Sequence, residues 1–444
     1  MPNDTALDDL MTSALDEVGT ADILVGIPSY RNAGTIGHVV RTVVQGLRTS
    51  FQGMRAVVVN ADGGSNDGTT DVVREALDGQ PAIVGAYRGL PGKGSAFRAI
   101  FEAAAELGVS ACAVVDSDLR SITPQWIERL LGPVASGHTD YVTPLYSRHK
   151  HDGTITNTIA YPLTRALYGK RVRQPIGGEF GFTGDLARAF LEGGAFVPRA
   201  RRPSEDEVEH PSASEGSPRA SVGMDVWETD VARFGIDVYM TTTALARGAR
   251  VAQAFLGAKI HDPKDPGADL APMFTQVVGT AFRLAAANAE RWRAERTGSS
   301  DVPLIGDVQV VDPEEIRVDR DLLVRKFREG AADAVAVWEG AISTDAMSAV
   351  RSALEADVPR ALGGTTWATL VYDLLVASAR RPDRTGAYVR SLVPLYFGRV
   401  AAFIDDARDM TTAEAERLVE EQALAFEDRT PYLRRRWGTG PLPA

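Results

Sequence analysis

An α/β fold with a mostly parallel sheet, followed by an all-helical region, is what this sequence predicts. Short apolar runs recur between residues 23 and 115, each separated from the next by a stretch of helical length and pattern. Beyond residue 270 the apolar residues keep a helical spacing, with no strand-like run between them. The chain has 444 residues, room for one large domain or two ordinary ones.

Residues 5–18 carry Leu7, Leu10, Met11, Ala14 and Leu15 at helical spacing with acidic residues opposite, so a short N-terminal helix is expected within residues 1–19. Strands follow at 23–27, 56–59, 82–87 and 111–115, and helices at 36–47, 69–77 and 94–107. Pro124 fits the opening of a further helix. After Asp140 the pattern is mixed: 158–168 reads as helix and 173–184 (RQPIGGEFGFTG) as Gly-rich and irregular. Residues 199–221 are rich in Ser, Pro and Glu with little to bury, and read as a mobile insertion. A helix is expected at 237–247 and a Pro/Asp hinge at 262–272. Amphipathic patterns then occupy 273–296, 320–338, 344–356, 364–380, 385–405 and 411–426, and the ending RTPYLRRRWGTGPLPA reads as a basic, loose tail. The expected division is 1–19, 20–270 and 271–444.

Composition is that of a soluble globular protein, 44% hydrophobic and 24% charged. A net charge of −11 disfavours broad attraction to nucleic acid or an anionic membrane. The single cysteine, Cys112, lies inside an apolar run and reads as an inert thiol of a reducing compartment. No apolar stretch is long enough to span a membrane and no signal segment opens the chain, so a cytoplasmic protein is expected.

Chemistry gathers at the C-terminal ends of the expected strands, where an α/β sheet binds its ligands. The first strand runs into Pro28-Ser29-Tyr30-Arg31-Asn32, a polar loop that can hold a base or ribose, or be an ordinary connection. The second ends in NADGGSNDG, a tight-turn sequence in which Asp62 can accept an N–H from a base and Asp67 suits a helix cap or turn. The third leads to PGKG, whose glycines allow close approach of a ligand and whose Lys93 adds a cation at a helix start; it is not a Walker A loop. The fourth delivers Asp116 and Asp118. Two carboxylates so spaced suit a divalent ion shared with nucleotide phosphates, and equally describe two solvated turn residues.

The succession strand–PSY–strand–DGGSNDGT–strand–PGKG–helix–strand–DSD resembles the nucleotide-sugar domain of GT-A glycosyltransferases. DGTITNTIAYPL (152–163), RQPIGGEFGF (173–182) and FGIDVYMTT with LGAKIHDP (234–263) resemble the retaining synthases of glucosylglycerate, mannosylglycerate and glucosyl-3-phosphoglycerate, the wording being nearest the first. The resemblance covers about residues 20–270 and implies a fold, a helical C-terminal region, a homodimer and a set of roles. Asp118 and His261 match metal ligands, and Asp116 matches a residue beside ribose and metal. A histidine ligand favours Mn²⁺ or Co²⁺ over Mg²⁺. Pro28, Ser29, Tyr30, Asp62 and Lys93 match donor contacts. Arg31 and Asn32 depart from the acidic residue some relatives carry nearby. The main-chain carbonyl of Ile176 matches the group facing the anomeric carbon, with Glu179 and Asp237 near the sugar and acceptor. Asp237 is equally a helix N-terminal carboxylate.

Arg148, Asp152, Gly153, Thr154 and Thr156 match the acceptor loop. Phosphoglycerate-using relatives carry arginine directly after this glycine; Thr154 here argues for D-glycerate over 3-phosphoglycerate, although His149, Lys150 and His151 can supply a phosphate site or a solvated basic turn. The expected activity is retaining transfer of glucose from a nucleotide-sugar to D-glycerate, making a compatible solute with Mg²⁺ or Mn²⁺. Glucosyl-3-phosphoglycerate or mannosylglycerate synthesis are the enzymatic alternatives. A sugar-nucleotidyltransferase would need a G-x-G-T-R-type loop after the first strand, which PSYRNAG is not. A membrane polysaccharide synthase would need a Q-x-x-R-W signature, absent before Arg436-Trp437. A non-catalytic sugar-nucleotide-binding protein would have lost Asp118, Lys93 or His261, and all three are present.

Overall fold

The computed structural model describes residues 5–196, 225–260, 270–295, 298–308, 313 and 316–438. Eight strands form one sheet: β1 (Ile23–Ser29), β2 (Ala56–Asp62), β3 (Ala82–Ala86), β4 (Ala111–Val114), β5 (Tyr141–Ser147), β6 (Phe180–Thr183), β7 (Val251–Ala258) and β8 (Leu304–Ile305). Their order is β3-β2-β1-β4-β6-β5-β7-β8, with all neighbours parallel except β6, which runs against both β4 and β5. The expected mostly parallel sheet is present, and β1 to β4 fall where the apolar runs lie. The strand order reverses beside β1, between β2 and β4, which makes the ends of β1 and β4 the topological switch where α/β sheets bind ligands.

Both faces of this sheet are covered, which is why its strands read as continuous apolar runs. Leu24, Val57, Val59, Cys112 and Val114 face one core. Ile23, Val25, Ile27, Val58, Ala111 and Ala113 face the other. Against the first face lie α1 (Asp9–Val18), α4 (Lys93–Glu106), α7 (Gly184–Leu191) and α8 (Ile236–Ala246). Against the second lie α2 (Ile36–Ser50), α3 (Thr69–Ala76) and α5 (Pro124–Ala135), the last opening on Pro124 as expected. Burial pushes the Cys112 thiol up and out of the reactive range. Asp8 caps α1 through Met11 N–H at 2.7 Å and also accepts from Ala86 N–H at 2.7 Å, fastening that helix to the end of β3.

Between β5 and β6 the chain makes a wide π-type turn (Thr156–Ala160) that continues into α6 (Tyr161–Tyr168). The helical region expected beyond 270 is present: α9 (Leu270–Ala287), α10 (Ala289–Arg293), α11 (Arg320–Glu339), α12 (Thr344–Glu355), α13 (Gly364–Arg380), α14 (Thr385–Asp406), α15 (Thr412–Asp428) and α16 (Thr430–Gly438). Its core takes in Ile155, Ile159, Leu163 and Leu167, so the turn and α6 pack with the C-terminal helices. Trp367 Nε1 also donates to the Thr158 carbonyl at 2.6 Å.

Two expectations need correction. The Gly-rich stretch at 173–184 is not wholly irregular: Phe180–Thr183 is β6, too short for its alternation to show. The ending is not loose as far as Gly438. Leu433 is fully buried, Trp437 meets Trp292 at 4.8 Å between ring centroids, and Arg436 bonds Asp373 at 2.9 Å, so tertiary contacts hold α16 as a helix. The expected insertion at 199–221 lies outside the described residues, as does His261. Among the described residues no helix is long and apolar enough to cross a membrane.

Candidate functional site

A cavity of about 340 Å³ opens at the ends of β4, β5 and β7. It gathers residues that are far apart in sequence: Lys93, Asp116, Asp118, Arg148, Asp152, Gly153, Thr154, Thr156, Ile176 and Asp237 all line it. Glu179 lies fully buried behind the wall. The sequence-expected metal, sugar and acceptor residues, apart from His261, therefore meet around one space.

Lys93 is placed by its two neighbours. A Cβ on Gly94 would stand 1.8 Å from the Val231 carbonyl oxygen, and one on Gly92 would stand 2.5 Å from that of Ala232. Gly94 N–H also donates to the Arg233 carbonyl at 3.2 Å. The PGKG glycines thus admit the main chain of 231–233, where close approach of a ligand was expected. This contact brings Lys93 to the start of α8, with Nζ 2.8 Å from Asp116 Oδ1 and 3.4 Å from Asp237 Oδ1.

The turn after Arg173 is shaped the same way. A Cβ on Gly177 would fall 2.1 Å from Pro144 Cγ, and one on Gly178, at φ +95°, 2.5 Å from Asp116 Oδ2. Lys259, at the end of β7, completes the cluster: its Nζ donates to Asp116 Oδ2 at 3.0 Å, to both Glu179 oxygens at 2.9 Å and to the Gly177 carbonyl at 2.9 Å. The Tyr146 hydroxyl donates to Glu179, and its ring lies under Lys259 Nζ at 5.5 Å. Lys259 and Tyr146 were missed as site residues. The only sequence signal for Lys259 was its place beside the histidine of KIH, and Tyr146 gave none.

Five alternating charges result. Burial would raise the Asp116 carboxyl, but Lys259 and Lys93 outweigh it and hold Asp116 well below the usual carboxylate range. Burial raises Glu179 to about 7, with Lys259 opposing. Burial also raises Asp237, against the pull of Lys93. Both lysines are raised despite burial, chiefly by Asp116, and stay cationic.

The donor residues form a neighbouring cluster at the ends of β1 and β2, where Ser29 pairs with Asp62 in register. Asp62 is buried, accepting from Ser29 Oγ at 2.7 Å, Ser65 Oγ at 2.8 Å and Ser65 N–H at 2.6 Å. Asp67 accepts from Thr69 N–H and Oγ1, the turn role expected of it. Tyr30 projects into solvent, 55% exposed, with the Arg31 guanidinium 5.1 Å from its ring. Asn32 Oδ1 accepts from Tyr30 N–H and from Ser117 Oγ, which ties this cluster to the Asp116–Asp118 loop.

The loop from Arg148 to Thr156 is internally braced. Arg148 pairs with Asp152 at 3.0 Å, Asp152 accepts from Gly153 N–H at 2.7 Å, and Gly153 takes φ +62°. Thr154 Oγ1 shares a hydrogen bond with the Tyr396 hydroxyl at 2.6 Å. Lys150 points away to the carbonyls of Ala407, Arg408 and Met410, so of residues 149–151 only His149 and His151 face the cavity.

For a divalent cation, Asp118 brings oxygen donors to the cavity wall, the chemistry Mg²⁺ and Mn²⁺ take. Both Asp116 oxygens already accept from lysines, which suits it to a supporting place. No group of three metal-binding side chains converges among the described residues. Asp118 by itself offers the oxygen chemistry such a cation takes, without a converging set around it among the described residues.

In comparison with known proteins, no curated protein matches the chain. Among solved structures it is similar to glucosyl-3-phosphoglycerate synthase from Mycobacterium tuberculosis in complex with Mn²⁺, UDP-glucose and phosphoglyceric acid, at 21% identity over 65% of this chain and 85% of that one, TM-score 0.42. It is also similar to the same synthase with Mg²⁺ and UDP, at 20% identity over 64% and 85%, TM-score 0.42. Residues 24–188 match the family model described as glycosyl transferase family 2. That match takes in the stretch that carries Lys93, Asp116, Asp118, Glu179 and the 148–156 loop.

Proposed function

We propose that the chain is a cytoplasmic, metal-dependent retaining glucosyltransferase that moves glucose from a nucleotide-glucose to D-glycerate, forming glucosylglycerate. The observation that carries this reading is the single cavity shared by Asp118, Lys93 and Asp237 with the Arg148–Thr156 loop. A diphosphate needs the cations and the metal anchor; a small hydroxy acid needs the loop. Asp118, with His261 by resemblance, would hold the divalent ion, which when bound offsets charge on the departing diphosphate.

Lys93 stabilises the same charge from the protein side. Asp237, on the cavity wall, orients a sugar or acceptor hydroxyl. The acceptor oxygen bonds to the anomeric carbon on the face from which the diphosphate leaves. The C–O bond to phosphate breaks, and a diphosphate oxygen takes the acceptor's proton. Lys259 fixes the Gly177 carbonyl and so the turn bearing the Ile176 carbonyl, the group assigned to face the developing oxocarbenium charge. Pro28, Ser29 and Tyr30 hold the nucleoside, with Asp62 shaping their loop.

Glycerate is favoured over 3-phosphoglycerate because Thr154 is neutral and tied to Tyr396, Lys150 is engaged elsewhere, and Arg148 already has Asp152 as partner. The test is a matrix of nucleotide sugars against D-glycerate and 3-phosphoglycerate with Mn²⁺ or Mg²⁺, read by NMR of the product. An α-linked glucosylglycerate is expected. No turnover with any donor, or strict dependence on 3-phosphoglycerate, overturns the reading.

A further inference from the structure

We infer that Lys150 is a positioning residue for the acceptor side of the site, acting by strapping the 148–156 loop to the end of α14. Its Nζ donates to the carbonyls of Ala407 at 2.8 Å, Arg408 at 3.1 Å and Met410 at 2.6 Å. An ammonium has three protons, and three carbonyls accept them, so Lys150 contacts no substrate. Those carbonyls lie just past Asp406, the last residue of α14, where a helix end carries partial negative charge; that of Ala407 also accepts from Met410 N–H at 3.1 Å. A cation there is held by hydrogen bonds and by the field together.

Geometry makes this a strap for the site. His149 and His151, on either side of Lys150, line the cavity, as does the loop from Asp152 to Thr156. The loop meets the same helix a second time, where Thr154 Oγ1 bonds the hydroxyl of Tyr396 at 2.6 Å. Two ties to one helix, four residues apart, bracket Asp152 and Gly153. Releasing the first tie frees Arg148 and Asp152 from a fixed place and leaves Lys93, at the start of α4, and Asp116 and Asp118, between β4 and α5, undisturbed. The kinetic consequence rests on the reading of this loop as the acceptor site; the structural consequence does not.

Two measurements on the full chain test the inference. Hydrogen exchange needs no substrate: Lys150→Met is expected to speed amide exchange at 149–157 about tenfold or more, and Lys150→Arg to restore protection. Steady-state kinetics, on whichever acceptor the wild type uses, should show KM for the acceptor up about tenfold in Lys150→Met, with KM for the nucleotide-sugar within about twofold. Tyr396→Phe, which removes only the second tie, should give the same acceptor-selective pattern at smaller size, and serves if Lys150→Met does not fold. Unchanged exchange at 149–157 overturns the strap. Equal rises in both KM values with exchange faster throughout the chain would assign Lys150 to general stability instead. A wild type that transfers to no acceptor sinks the proposed function and leaves the exchange result to judge the strap.

Discussion

Arg165 in α6 and Lys259 at the end of β7 are both buried cations ringed by carboxylates and a tyrosine, yet they are wired differently. Arg165 donates to Glu427 at 3.0 Å, Glu420 at 2.6 Å, the Tyr161 hydroxyl at 2.8 Å and Ser299 Oγ at 3.1 Å. It joins α6 to α15, and none of its partners lines the cavity that holds Lys93 and Asp237. Lys259 shares Asp116 with Lys93, that second lysine reaches Asp237, and all four line the cavity. A buried charge needs full pairing to offset its desolvation. The Arg165 cluster achieves this internally and is a clasp. The Lys259 cluster opens on the cavity through Lys93, Asp116 and Asp237, which is what a ligand site requires.

The comparison can be broken first at the cavity. Asp118→Ala should lower transfer by about 10³-fold or more while the melting temperature stays near that of the wild type. Retained turnover would remove Asp118 from metal binding. Arg165→Met should do the reverse, costing about 3 kcal/mol of unfolding free energy by denaturant titration, with kcat of the folded fraction unchanged. A selective loss of kcat there would erase the distinction between clasp and site.

Lys259→Met sharpens the contrast, because it strips Asp116 and Glu179 of a shared partner next to the chemistry. A fall in kcat of about 10²-fold is expected, larger than any change in KM for the donor. An effect confined to stability would make Lys259 a second clasp.

The smallest effect belongs to an exposed pair, Asp140 and Arg250, at 2.6 Å, which ties the start of β5 to the start of β7. The Arg250 guanidinium holds the Asp140 carboxyl below its ordinary value. A carboxyl lowered on folding adds stability that is complete above its unfolded pKa and lost as pH falls through the folded one. The small stability difference between wild type and Asp140→Asn should therefore be present in full at neutral pH and be lost as the pH falls below the ordinary carboxylate range. A difference that persists in acid would show that the pair acts through packing.

The half from β1 to β4 was legible because parallel strands buried on both faces leave unbroken apolar runs with helices between them. β5 and β7 were not: YVTPLYS carries a proline and VAQAFLGA a glycine, and their burial depends on partners over 100 residues away. The same physics divides the site. Lys93, Asp116 and Asp118 stand on local strand-end signals. Tyr146, Glu179 and Lys259 act as a unit only because β5, β6 and β7 come together, and no local pattern encodes that. Lys150 reads in sequence as part of a basic turn; its role depends on where α14 ends.

The core that α6 and its preceding turn share with the C-terminal helices has a consequence for how this chain can be cut. A truncation at residue 270 would strip the cover from Ile155, Ile159, Leu163 and Leu167 and from the loop they support. The half that carries the sheet is therefore not a portable cassette. Exchanging the helical half for another would rewrite the foundations of the 148–156 loop without touching Lys93, Asp116 or Asp118.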